Sequence, residues 1–290
     1  MSIPPHIPPV FDAVLGRLRL ARAHRQGYVD FLLARVAQDL AERLSVVTRI
    51  FAQALDVGTP SPLLAAILRR SGQVGGIIQA GPAPGADVVA DPACLPFAPE
   101  CAELIVSALA LHVVDDLPGA LVQIRRALKP DGLFLGCMAG GQTLQELRSA
   151  FVAAESEITG GASPRVAPFA DMRAVGGLLQ RAGFAMPVTD VDMITVRYGS
   201  MYALMRDLRG MGATSTLVAR AKTPLRRAVL MRAAEIYGER FADADGRLRA
   251  TFEIIWMSGW APHDSQRKPL KPGSAQMRLA DVLGVSEIKP

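Results

Sequence analysis

The sequence predicts an α/β fold in which helices cover both faces of a doubly wound, parallel sheet. Three observations carry this expectation. Apolar, strand-like runs alternate with segments of helical period from residue 51 onward. The first run, Ala52 to Val57, ends in Asp56-Val57-Gly58 and opens through a short loop into a helix-like stretch at Leu63, the pattern of a nucleotide-binding βαβ unit. Glu103 to Leu109 is nearly continuous in apolar residues, as a strand buried on both faces requires.

Half of the 290 residues are hydrophobic and 20% are charged, which supplies a sizeable core and excludes a disordered chain. No apolar run reaches the ~18–20 residues of a membrane span; the best, Leu104 to Val114, reads as a buried strand. Met1 to Pro9 lacks a charged start followed by an apolar core, so no secretory signal is expected. Cys94, Cys101 and Cys137 are odd in number and lack zinc spacing, which points to a reducing, cytoplasmic setting. The net charge is +5, and its densest stretches, Arg17 to Arg25 and Arg220 to Arg232, interleave with Leu, Ala and Val at helical spacing. Without aromatic stacking positions they read as solvated helix faces, and no nucleic-acid partner is expected.

Residues 1–9 hold four prolines and predict a loose arm. From Phe11 to Ile50 apolar residues recur at three and four positions (Phe31, Leu32, Val36, Leu40, Leu44, Val47), with Gly27 dividing two helices that pack on a sheet or cover a pocket. After the first strand and a helix from Leu63 to Arg70, a glycine leads into a second strand, Val74 to Ala80, and a short third, Asp87 to Ala90. The strand Glu103 to Leu109 follows. Asp115-Asp116 then caps a helix running to Leu128, whose end carries Arg125, Arg126 and Lys129 in agreement with the helix dipole. Lys129-Pro130-Asp131-Gly132 reads as a turn before a fifth strand, Leu133 to Met138. A helix from Thr143 to about Glu157, a Gly/Pro-rich loop, a helix from Asp171 to Ala182 and a strand from Val188 to Arg197 come next. Residues 200–241 read as two helices joined around Gly212, inserted before a last strand, Arg249 to Trp256, and placed to act as a lid.

Several of these stretches resemble successive motifs of class I S-adenosylmethionine (SAM) methyltransferases. They are Leu55-Asp56-Val57-Gly58, Ala90-Asp91 with Leu95-Pro96-Phe97, Glu103 to Ser107, Leu111-His112 and Leu128 to Gly132. The fold implied is a Rossmann-like sheet with N-terminal helices and a helical lid insertion. Gly140 to Arg148, Asp207 to Gly212 and His263-Asp264-Ser265-Gln266 are similar to the mitochondrial and α-proteobacterial complex I assembly branch, whose members are thought to hydroxylate an arginine on a complex I subunit. The malonyl-carrier-protein methyltransferases of biotin synthesis are similar chiefly through Leu208 to Thr214.

The resemblance assigns cofactor-side positions to Asp56, Gly58, Gly81, Asp91, Ala93 and Leu109. In this fold the loop after the first strand needs small residues and free N–H groups to meet the methionine part of SAM. Thr59-Pro60-Ser61-Pro62 stands there instead, and each proline removes a donor and fixes φ. Pro62 suits the first turn of a helix; Pro60 has no such reading. Gly81 falls where the family's second strand ends in an acid gripping the ribose hydroxyls. Losing that charge-assisted acceptor removes about 1.5–3 kcal/mol, a tenfold to hundredfold loss of affinity. Only six residues separate Ala80 from Asp87, two of them prolines, so the second crossover helix is absent and the third strand short, displaced or lost. Asp91 matches the family residue near the adenine amino group. His112, just past the fourth strand, is the catalytic candidate, as an acid–base group or acceptor contact; a structural histidine is the other reading. Four histidines without ligand spacing predict no metal site.

The expectation is thus a helical leader (1–50), a methyltransferase-fold domain (51–261) with an insertion at about 200–241, and a tail (262–290). The implied partner is a protein of respiratory complex I or an assembly intermediate, with peripheral membrane contact left open. The implied cofactor is SAM, or none if the pocket is lost, which makes a pseudoenzyme. An active SAM-dependent methyltransferase on a carboxyl or protein acceptor is the alternative.

Overall fold

The computed structural model describes residues 8–266. Residues 1–7 of the expected arm and 267–290 of the expected tail lie outside it. Two helices lead, α1 (Ala13–Arg25) and α2 (Phe31–Ser45), followed by β1 (Phe51–Val57), α3 (Leu63–Arg70), β2 (Val74–Gly81), β3 (Val88–Val89), β4 (Ala102–Ala108), α4 (Leu117–Ala127) and β5 (Leu128–Ala139). Then come α5 (Gln145–Thr159), α6 (Met172–Arg181), β6 (Ala185–Tyr198), α7 (Met201–Gly210), α8 (Arg227–Phe241) and β7 (Leu248–Trp260).

The seven strands form one sheet in the order β3-β2-β1-β4-β5-β7-β6. Alternation along each strand feeds two apolar layers. Ala54, Leu104 and Val106 pack with Val36 and Leu40 of α2, Leu64 of α3 and Phe151 of α5. Leu55, Val57 and Ile105 face Leu121 and Ile124 of α4 and Val175 and Leu179 of α6. Side-chain caps start several helices: Asp116 accepts from the Gly119 N–H at 2.8 Å, Asp171 from Ala174 at 2.8 Å and Ser200 from Ala203 at 3.2 Å.

The sheet differs from a wholly parallel one at β7, which runs antiparallel between β5 and β6. Leu248 begins β7 opposite Tyr198, where β6 ends. The inserted helices therefore return the chain to the end of the sheet that β6 has just left, and the next strand can only run back. The connection from β2 to β3 holds no helix, as its six residues require. It closes because β3 starts level with the end of β2, Ala80 pairing with Val88 and Gly81 with Val89, so the chain retreats by only about two residues. Lys129 to Gly132 is a bulge inside β5 rather than a turn before it. Ala102 pairs with Leu128 and Leu104 with Leu133, and the extra residues are absorbed by a positive φ of 61° at Asp131.

Candidate functional site

The loop after β1 is tied from beneath. Asp56 is fully buried, and the Thr59 hydroxyl donates to its Oδ1 while accepting from the Ala108 N–H at 3.0 Å. Gln79 Nε2 donates to the Thr59 carbonyl at 3.2 Å, and the Ser107 hydroxyl to the Val57 carbonyl at 2.7 Å. Burial pushes the Asp56 carboxyl up to about 7, and its Oδ2 has no hydrogen-bond partner. Asp56 thus serves the strand–loop junction, and Thr59, whose role sequence reading missed, completes it.

Gly58 holds φ +78°, and a Cβ there would stand 2.8 Å from Pro92 Cγ and 2.9 Å from Ala110 Cβ. A Cβ at Gly81 would lie 3.1 Å from the Gly58 Cα. Pro62 is the N-cap of α3, its carbonyl accepting from Ala66 at 2.9 Å, which is the benign placement a proline allows. Pro60 turns its carbonyl to α1, where His24 Nε2 donates to it at 2.7 Å.

A cavity of about 500 Å³ opens beside this loop, at the carboxyl ends of β1 and β4. Its wall is mostly apolar, with Leu20, Leu32, Leu147, Phe151, Phe252 and Ile254 among its residues. Of the positions singled out in the sequence, Gly58, Asp91, Ala93, Leu109 and His112 line it, whereas Asp56 and Gly81 do not. Asp91 Oδ1 accepts from the Ala93 N–H at 2.9 Å, and Arg17 of α1 approaches its Oδ2 at 3.5 Å. Leu109 leaves β4 at a φ of 51°. His112 packs edge-on against Phe169, with ring centroids 5.3 Å apart, and its Nδ1 is buried without a partner. Burial pushes this imidazole down to about 4, so it is neutral at pH 7. Among the described residues no group of three His, Cys, Asp or Glu side chains could hold a metal ion.

The leader and the insertion roof the cavity together. Phe11 bridges Leu217, Asp12 N–H donates to the Thr216 carbonyl at 2.8 Å, and Val218 N–H donates to the Val10 carbonyl at 2.9 Å. Asp115 Oδ1 accepts from both the Val10 and the Phe11 N–H at 3.0 Å, latching the leader to the mouth. The glycines of the Leu208 to Gly212 motif seat the roof. A Cβ at Gly210 would meet Val29 Cγ2 at 2.5 Å, and one at Gly212, where φ is +73°, would meet the Leu20 Cα at 3.0 Å.

Two other motifs also resolve into backbone stitches. Thr143 accepts from the Glu253 N–H and donates to its carbonyl, both at 3.1 Å, while Glu146 accepts from the Thr251 N–H at 3.1 Å. Gln266 of the His263-Asp264-Ser265-Gln266 segment donates to Asp131 Oδ1 at 2.9 Å, pinning the β5 bulge.

A profile of the methyltransferase domain family matches residues 55–136. A Danio rerio protein named arginine-hydroxylase NDUFAF5, mitochondrial, is 40% identical over 271 residues, which cover 90% of this chain and 84% of the relative. The Homo sapiens protein of that name is 38% identical over 296 residues, covering 97% and 85%. The malonyl-[acyl-carrier protein] O-methyltransferase of Xylella fastidiosa is 38% identical over 179 residues, covering 62% and 58%. The solved YcgJ protein of Bacillus subtilis shares the fold at a TM-score of 0.53 and 13% identity, over 78% of this chain and 99% of that one. No helix among the described residues is long and apolar enough to cross a membrane. With nearly its whole length aligned to those relatives and the methyltransferase profile on its first sheet half, the chain belongs to the family of arginine-hydroxylase NDUFAF5, built on the Rossmann-like methyltransferase fold.

Proposed function

We propose that this protein works in the complex I assembly branch of its family, acting on or binding a protein of a respiratory complex, with its grip on SAM lost or weakened. The relatives' name makes an arginine of that partner the natural acceptor, and the roofed cavity beside β4 is where the acceptor or its ligand enters.

The observation that carries the reading is the glycine at position 81, packed closely on Gly58. A SAM pocket of the family kind needs a carboxylate at the end of β2, and this chain has a glycine there with 3.1 Å between its missing Cβ and the neighbouring backbone. Two prolines replace N–H donors in the loop, and Asp91 is already engaged by Ala93 and Arg17. The residues do not fit SAM in the family's manner. Methyl transfer to a carboxyl or protein acceptor is the second reading. Its support is the cavity itself, whose volume of about 500 Å³ falls in the range of small-molecule sites.

Deleting the gene in its organism of origin and measuring assembled complex I on native gels tests the reading. The expected result is a loss of assembled complex restored both by the unaltered gene and by Asp91→Asn. Rescue by the unaltered gene alone favours methyl transfer, and an unchanged complex I in the deletion strain overturns the proposal.

A further inference from the structure

The two arginine-rich stretches of the sequence meet in three dimensions instead of standing as separate solvated faces. Arg19 of α1 and Arg220 of the segment before α8 share a cleft of about 510 Å³ with Arg165, Lys222 and Ser215. The three guanidinium groups are held in place. Arg19 Nη1 donates to the Ser215 carbonyl. Arg220 Nη1 donates to the Leu217 carbonyl at 2.8 Å and lies 3.5 Å from Asp12 through Nη2. Arg165 Nε donates to the buried Glu155 at 2.9 Å.

Four cations therefore face two carboxylates, and both carboxylates have other duties. Asp12 caps α1 through the Leu15 N–H at 2.9 Å, and Glu155 accepts from the Ser163 N–H at 2.6 Å. Neither Arg19 nor Lys222 has an ion-pair partner among the described residues. Burial first, then the nearby Arg220 and Arg22, lower the pKa of Arg19, with Asp12 acting the other way. Four neighbouring cations against two carboxylates leave the cleft with an excess of positive charge that a bound anion would offset.

We propose that this cleft is an oxyanion-binding site, taking the carboxylate or phosphate group of a ligand. Arginine forks match the planar or trigonal faces of these groups with paired, charge-assisted hydrogen bonds. Arg165 and Ser215 line both the cleft and the apolar cavity beside β4, so an anion seated here belongs to a molecule whose apolar remainder reaches into that cavity. Among the described residues no aromatic side chain lines the cleft, so they offer no platform for stacked bases.

Isothermal titration of the full chain with inorganic phosphate and, separately, with succinate at constant ionic strength tests the site. Saturable binding of either probe is expected, weakened about tenfold in Arg19→Gln and about threefold in Lys222→Gln. Lys222 is exposed and makes no hydrogen bond or ion pair among the described residues, so Lys222→Gln keeps the melting temperature and decides the matter if Arg19→Gln loosens the roof. A preference for phosphate or for succinate identifies the oxyanion and supports the site in either case. Absence of saturable binding of both probes up to about 10 mM overturns the proposal, since built oxyanion sites bind more tightly than that. An affinity unchanged in both variants overturns it equally.

Discussion

Gly81 packs closely on Gly58: a Cβ on the first would lie 3.1 Å from the Cα of the second, a few tenths of an ångström inside ordinary contact. The strand end that carries a ribose-binding acid in the resembled methyltransferases is here a backbone contact. Gly81→Asp should therefore press on the loop after β1 and destabilise the protein by about 1–3 kcal/mol, as overpacking does. Denaturant melts check the loss. SAM affinity should not appear in this variant, because Pro60 and Pro62 still stand in the loop after β1.

The Thr59 hydroxyl is the second device at that junction. Thr59→Val removes the donor to Asp56 and leaves the Ala108 N–H without its acceptor, both in a buried setting. A loss of about 2–4 kcal/mol is expected, with most of the stability kept in Thr59→Ser. Chemical denaturation of the two variants in parallel measures it.

Asp56 and His112 set opposing pH dependences. Asp56 titrates at about 7 in the fold against 3.8 ordinarily. Between those values the folded chain holds a proton that the unfolded chain has released, so this contribution is full below pH 3.8 and lost as pH rises through 7. His112 titrates at about 4 against 6.5, so its contribution is full above pH 6.5 and lost as pH falls through 4. In the overlapping window Asp56→Asn should make the melting temperature climb with pH, and His112→Asn should make it fall. Thermal melts from pH 4 to 6.5 test both slopes.

The roof depends on Asp115. Asp115→Ala deletes the acceptor shared by the Val10 and Phe11 N–H groups. Hydrogen exchange at those two amides should accelerate about tenfold or more, while the amides of β1 and β4 keep their protection. Equal acceleration throughout the sheet would show that the latch is part of the global fold and not of a separately opening roof.

Much of this architecture is legible in the residues. Strands β1, β2, β4 and β5 and helices α3 to α6 follow from hydrophobic period and caps, since those signals are local. The missing crossover helix follows from counting six residues. The bulge at Lys129 to Gly132 reads as a turn in the sequence because its chemistry is that of a turn, while the pairs on either side that make it one strand lie on β4. The antiparallel β7 was not legible either, since its direction depends on where a helical insertion returns the chain. For the site, the altered loop and Gly81 could be seen directly. The burial of Asp56 with Thr59 could have been suspected from a short hydroxyl three residues after an acid at a strand end. The pairing of Phe11 with Leu217 and the meeting of Arg19 with Arg220 leave no periodic trace, for they join segments about 200 residues apart.

Isothermal titration of the full chain with SAM and with S-adenosylhomocysteine tests the central claim most directly. A chain with a glycine in place of the ribose acid and two prolines in the loop after β1 should bind either compound tenfold to a hundredfold more weakly than a site that keeps both, no more tightly than about 100 μM. Binding in the low-micromolar range would contradict the account and restore this chain to the SAM-dependent methyltransferases.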